Sequence, residues 1–213
     1  MTVTLLIIAL TVFVSWRCFE NPALQNALLH HPYSEAREKE YYRLLTGAFV
    51  HGSWMHLLIN MFVLYQFGTF VESVFTLTWG DTQGRIYFLL VYLLTAFLAD
   101  IPTFLKHKDN FNFRSVGASG AVSGILFIYI IFQPWSWLLL FFVIPIPAII
   151  AAVGYLFYSS YANRRGGGRI DHSAHFYGAV VGFALAIMLQ PEWFMLFIEN
   201  VSQPDFSGLS GLF

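Results

Sequence analysis

Long apolar runs recur along this 213-residue chain, parted by shorter polar stretches. Crossing a bilayer as a helix takes roughly 20 apolar residues. A backbone in lipid must also satisfy its own hydrogen bonds, which a helix does and an open strand does not. The pattern therefore predicts an all-α fold, a polytopic transmembrane helical bundle. Composition points the same way: 57% of residues are hydrophobic and 11% charged, leaving too little polar surface for a water-soluble domain. A net charge of −1 gives no reason to expect nucleic acid as a partner, and the partner implied is the lipid bilayer. The single Cys18 can form neither an internal disulfide nor a metal cluster.

Six transmembrane helices are expected, at about residues 2–19, 54–72, 86–105, 119–132, 137–161 and 175–190. They make one membrane domain over 1–191, followed by an interfacial or disordered tail over 192–213. The first run could pass for a secretory signal, but a basic leader and a small-residue cleavage site are missing. Between the first two helices lies a long surface loop, where the alternating charges of 35–40 read as a solvated face and Tyr41-Tyr42 suits the interface. Gly68 and Glu72 close the second helix, Asp100 and Pro102 lie near the end of the third, and Pro145 and Pro147 kink the fifth. Gly166 to Gly168 form a loop with little intrinsic order, a candidate cap. Sequence repeats of the kind that build many transporters are not found.

Three apolar segments carry polar residues of complementary chemistry. Gly117-Ala118-Ser119-Gly120 leads a hydroxyl into the fourth helix. His56 and Asn60, four residues apart, share one face of the second helix, and polar groups on such a face must point at protein or trapped water. His175 enters the sixth helix ahead of Gly178 and Gly182, while Gly120 and Gly124 repeat that spacing beside Ser119. Two such smooth faces allow close helix approach, which would bring hydroxyl and imidazole together. A serine becomes a nucleophile when a base takes its proton, and the resulting oxyanion needs preorganised donors. Ser119 and His175 are thus the candidate catalytic pair. His56, Asn60 and the Ser119 backbone N–H are the candidate oxyanion hole, and Gly117 and Ala118 leave room for a substrate backbone.

Each element also has a structural reading: an intramembrane serine most often bonds a neighbouring helix, and glycine pairs mostly serve packing. The coincidence of three matching segments favours chemistry. His51 falls out of phase with His56 and Asn60 and is read as a loop anchor. His172 lacks the glycine surface that follows His175, and Asp171 reads as a helix cap. His-Glu-x-x-His is absent, as is a pair of intramembrane aspartates, so no metal and no cofactor is expected.

These motifs resemble those of the rhomboid family of intramembrane serine proteases, and the likeness extends from Arg43 to Gln190. Gly117-Ala118-Ser119-Gly120 looks like the family's nucleophile motif, Ala174-His175 with Gly178 its base motif, and His56 and Asn60 its His-x-x-x-Asn; Gly68 to Glu72 is similar to its Gly-x-x-x-Glu. The resemblance implies a Ser119–His175 dyad without a third acid, transmembrane protein substrates, and helix five as a candidate lateral gate. Two positions depart from it. Tyr42-Arg43 stands where the family usually has Trp-Arg, and Ser123 stands where an aromatic that packs on the histidine is common. Chain length suggests the basic six-helix form.

Orientation is drawn two ways. All Lys and Arg except Arg85 fall at the ends of the chain's odd-numbered helices or in the loops after them, which the positive-inside rule would put in the cytoplasm. Bacterial members of the family instead keep the N-terminus in the cytoplasm and the active-site mouth outside, in the inner or plasma membrane. Two other functions fit less well: a silent rhomboid-like protein that binds transmembrane segments would usually lack the serine or the histidine, and a small-solute channel or transporter would need repeats or paired charges.

Overall fold

The computed structural model describes residues 1–140, 143–165 and 172–205. It is mostly helical, in the order α1 (Val3–Glu20), α2 (Pro22–Leu28), α3 (Pro32–Arg37), α4 (Arg43–Thr46), a 3-10 turn (Gly47–Phe49), α5 (Trp54–Trp79), α6 (Asp81–His107), α7 (Ser119–Phe132), β1 (Trp137–Leu140), β2 (Ile144–Pro147), α8 (Ala148–Arg165), α9 (His172–Leu189) and α10 (Glu192–Ser202). Among the described residues three helices, α1, α5 and α6, are long and apolar enough to cross a membrane. A fourth span results if α9 and α10, bent by 118° at their junction, are taken together. The chain is an integral membrane protein built as a helical bundle.

Small residues set the centre of the bundle. A Cβ at Gly178 would run into the Gly120 carbonyl, and one at Gly182 into the Gly124 backbone, so α7 and α9 meet backbone to backbone. On its other side α7 meets α6, where Thr95 fills the space beside Gly124 and Ala99 that beside Gly120. Fully buried Leu64, Phe75, Phe88, Tyr92, Ile125 and Ile128 fill the rest of the core.

Several expectations are corrected. The fifth helix, expected over 137–161, begins only at Ala148. Residues 137–140 and 144–147 pair as an antiparallel hairpin, with Trp137 opposite Pro147 and Leu139 opposite Pro145. A proline lacks the N–H a helix needs and drives the residue before it toward extended backbone, so two prolines two apart suit a strand. The fold is therefore not purely α.

The second helix does not close at Glu72 but runs on to Trp79. Glu72 is buried and tolerated because it caps the start of α1, accepting from Val3 N–H (2.8 Å), Thr4 N–H (2.8 Å) and the Thr4 hydroxyl (2.7 Å), with Arg85 3.7 Å away. A carboxylate at a helix N-terminus is electrostatically favoured. The tail contains α10, anchored by buried Trp193 against Phe75, Trp79 and Phe132. Glu35, expected on a solvated face, is fully buried and accepts from His30 Nδ1 (2.7 Å) and His31 N–H (3.0 Å). Gly166 to Gly168 and Asp171 lie outside the described residues.

The segment between α1 and α5 is ordered by polar bonds more than by apolar burial. Arg43, 7% exposed, donates to the carbonyls of Asn26 and Leu29 and to the Glu40 carboxylate. His30 exchanges both backbone bonds with Ser115, and Gly117 N–H donates to the Gly47 carbonyl. This segment therefore grips the strand that leads into Ser119.

Candidate active site

Ser119 is the first residue of α7 and His175 lies in the first turn of α9. The two helices cross on their glycine faces one turn further on, and that close approach sets the side chains together: Ser119 Oγ lies 2.6 Å from His175 Nε2. With Nδ1 carrying the ring proton, Nε2 accepts from the hydroxyl, which is the arrangement a base needs to take the serine proton. The first intrahelical bond of α7 runs from Val122 N–H to the Ala118 carbonyl. Ser119 N–H thus precedes the helical ladder, at the positive end of the helix dipole.

Gly117 adopts φ +126°, a left-handed conformation that disfavours side chains. Space forbids one as well, since a Cβ there would lie 2.7 Å from Cε1 and 2.9 Å from Nε2 of His56. The edge of the His56 imidazole is therefore turned toward the main chain just before Ser119. Asn60, 6% exposed, sits one turn deeper and donates from Nδ2 to the His56 carbonyl at 3.1 Å. The structure brings Ser119, His175, His56 and Gly117 to one end of the bundle, while Asn60 bonds within its own helix. Ala118 is fully buried under the turn.

His51 holds that turn in place. Its Nε2 accepts from Ala118 N–H (3.4 Å), which leaves Nδ1 protonated to donate to Ser15 Oγ (2.9 Å); Ser15 donates onward to the Phe49 carbonyl (2.8 Å). Burial, and secondarily the neighbouring His56, push the His51 pKa down to about 3, so the ring is neutral at ordinary pH.

A cavity of about 20 Å³, room for one water, touches Ser119, His56, Gly117 and Ala174. His30 and Asp100 line it too, and neither was singled out from the sequence. Nothing in the spacing of His30 links it to Ser119; the link is the backbone pairing with Ser115. A larger cavity of about 790 Å³ also touches His56, between Gln25, Ser53, Asn112 and Arg114.

The aromatic partner of the histidine comes from a residue that the sequence did not signal. Tyr155 of α8 stacks on His175 with ring centroids 5.7 Å apart and planes 21° apart. Its hydroxyl lies 2.9 Å from Ser123 Oγ, which itself donates to the Ser119 carbonyl at 2.7 Å. Among the described residues no group of three metal-ligating side chains is present.

Known proteins share sequence with much of this chain. A family profile for the Rhomboid domain matches residues 38–192. The chloroplastic rhomboid-like protein 11 of Arabidopsis thaliana is 27% identical over 197 residues, covering 87% of this chain and 64% of that protein. The mitochondrial RHOMBOID-like protein 12 of the same plant is 28% identical over 177 residues, covering 80% and 52%. The putative rhomboid protease YdcA of Bacillus subtilis is 30% identical over 91 residues, covering 43% and 41%. The chain spans between about half and two thirds of the length of the two plant relatives.

Proposed function

From the premise that this chain belongs to the rhomboid family, we propose that it is an intramembrane serine endopeptidase, cutting a peptide bond in or near a transmembrane segment of a membrane protein. The observation that carries the proposal is the 2.6 Å contact between Ser119 Oγ and His175 Nε2, two residues 56 apart in sequence. The relatives named as rhomboid proteases, YdcA and GluP of Bacillus subtilis, support the reaction class.

In this reading Ser119 attacks the scissile carbonyl as His175 takes its proton. The oxyanion collects the Ser119 N–H at the start of α7, with His56 and Asn60 as side-chain donors, each worth about 3 kcal/mol when well aimed. His175 then gives the proton to the leaving amine, and a water activated by the same imidazole hydrolyses the acyl-enzyme. Gly117 and Ala118 keep the approach clear for the substrate backbone. An unbroken helix hides its carbonyls, so substrates unwind locally. Six helices, α1, α5, α6, α7, α8 and α9, span the bilayer as one domain over 1–191, with α7 starting below the surface. α8 with its hairpin forms the lateral opening against α5.

The test is cleavage of a tagged single-pass substrate in liposomes, with a chelator control. Ser119→Ala and His175→Ala are each expected to lower the rate by on the order of 10⁴-fold or more. Undiminished cleavage by Ser119→Ala would remove the mechanism. Binding of substrates without cleavage by any form would favour the silent rhomboid-like binding protein.

A further inference from the structure

We infer that Tyr155 is a positioning residue of the catalytic histidine in this chain, and that Ser123 holds Tyr155. The inference rests on the proteolytic reading given above.

Three contacts carry it. Tyr155 stacks on His175, with centroids 5.7 Å apart and planes 21° apart, a near-parallel placement that restricts the tilt of the imidazole. Its hydroxyl meets Ser123 Oγ at 2.9 Å. Ser123 in turn donates to the Ser119 carbonyl at 2.7 Å and is 4% exposed. The Ser123 proton is therefore committed to that carbonyl, which makes Tyr155 the donor of the hydrogen bond between them. A single chain of contacts runs from the backbone of the nucleophile, through Ser123 and the tyrosine, to the face of the base.

This chain accounts for a serine one turn after the nucleophile. A hydroxyl at 123 gives Tyr155 a partner on the helix of the nucleophile. The ring could be supplied from α7 or from α8, and here α8 supplies it. Because α8 also borders the cavity facing α5, the histidine's support is carried by an element at the lateral opening rather than by the helix of the nucleophile. Displacing α8 would remove the ring from His175.

The experiment combines steady-state cleavage with the rate at which a fluorophosphonate labels Ser119, using the full chain in detergent. Tyr155→Leu should lower kcat and the labelling rate by about tenfold or more, since small misplacements of a base are costly, while KM changes little and thermal unfolding shows the variant folded. Tyr155→Phe keeps the ring and should lose no more than about fivefold, the worth of one neutral hydrogen bond. Ser123→Ala removes the same bond together with its own to the Ser119 carbonyl, so it should cost at least as much, and adding Tyr155→Phe to it should cost little more, because the bond between the two hydroxyls is already gone. The double variant Ser123→Tyr with Tyr155→Ala, which moves the ring to α7, should recover labelling relative to Tyr155→Ala. Wild-type labelling rates in Tyr155→Leu, or an equal loss in Tyr155→Phe and Tyr155→Leu, would overturn the inference and leave the protease reading standing. A wild type that is neither labelled at Ser119 nor active would overturn both.

Discussion

At the residue scale the site depends on a few side chains whose burial leaves them little choice of partner. The edge of His56 faces Gly117, and Asn60 lies one turn deeper. If both serve the oxyanion, His56→Ala and Asn60→Ala should each lower kcat by about 10²-fold with a smaller change in KM. Equal kcat in either variant, measured on the same substrate, removes that residue from the oxyanion hole. His51 makes a different prediction. Its ring is held neutral, with a pKa of about 3 against the ordinary 6.5, because burial disfavours the charged form. The unfolded chain therefore binds a proton that the folded chain refuses between these values. The stabilising contribution is complete above the ordinary value and is lost as pH falls below it. Between pH 6.5 and 5 the loss is on the order of 2 kcal/mol. Thermal unfolding of the wild type should move to lower temperature over that range, and His51→Gln, less stable at pH 7, should show a shallower slope; parallel slopes would contradict the assignment.

At the element scale the crossing of α7 and α9 decides whether Ser119 and His175 meet. Gly182→Val places a side chain against the Gly124 backbone and should cost about 3 kcal/mol, with loss of activity. Gly154→Ala, on the open side of α8, meets nothing and should be neutral or stabilising by about 1 kcal/mol. Differential scanning of the two variants in detergent separates packing from propensity, and equal destabilisation would count against the crossing as described. Polar residues and paired glycines in apolar runs made this crossing legible in the sequence, since neither belongs in lipid without a reason. Residues 137–147 depart from the expected helix for a related cause. Hydropathy is the same for an apolar strand and an apolar helix, and only the spacing of Pro145 and Pro147 tells them apart. Glu72 looked like a helix end because its partners, the first residues of α1, are 68 and 69 positions away. Tyr155 could not be read at all, because its stacking depends on how α8 lies against α9.

At the scale of the whole molecule, the candidate residues gather at one end of the bundle, where the segment between α1 and α5 grips the approach to Ser119. A cavity of about 450 Å³ between α5 and the hairpin–α8 unit, lined by Phe62, Phe67, Leu138 and Ala151, lies where a substrate helix would enter laterally. Cross-linking Phe62→Cys to Ala151→Cys should abolish cleavage of membrane-embedded substrates while sparing fluorophosphonate labelling; undiminished cleavage would contradict lateral entry. Family membership and helical membrane character follow from motifs and apolar runs that this one sequence displays. The number of spans does not, since α7 is short and α8 follows a hairpin, so length alone counts fewer spans than we propose. The most direct test of the central claim is to map the fluorophosphonate adduct by mass spectrometry in the wild type and in His175→Ala. An adduct on Ser119 in the wild type and none in His175→Ala is predicted. An adduct on another residue, or labelling of Ser119 at the same rate without His175, would contradict the account.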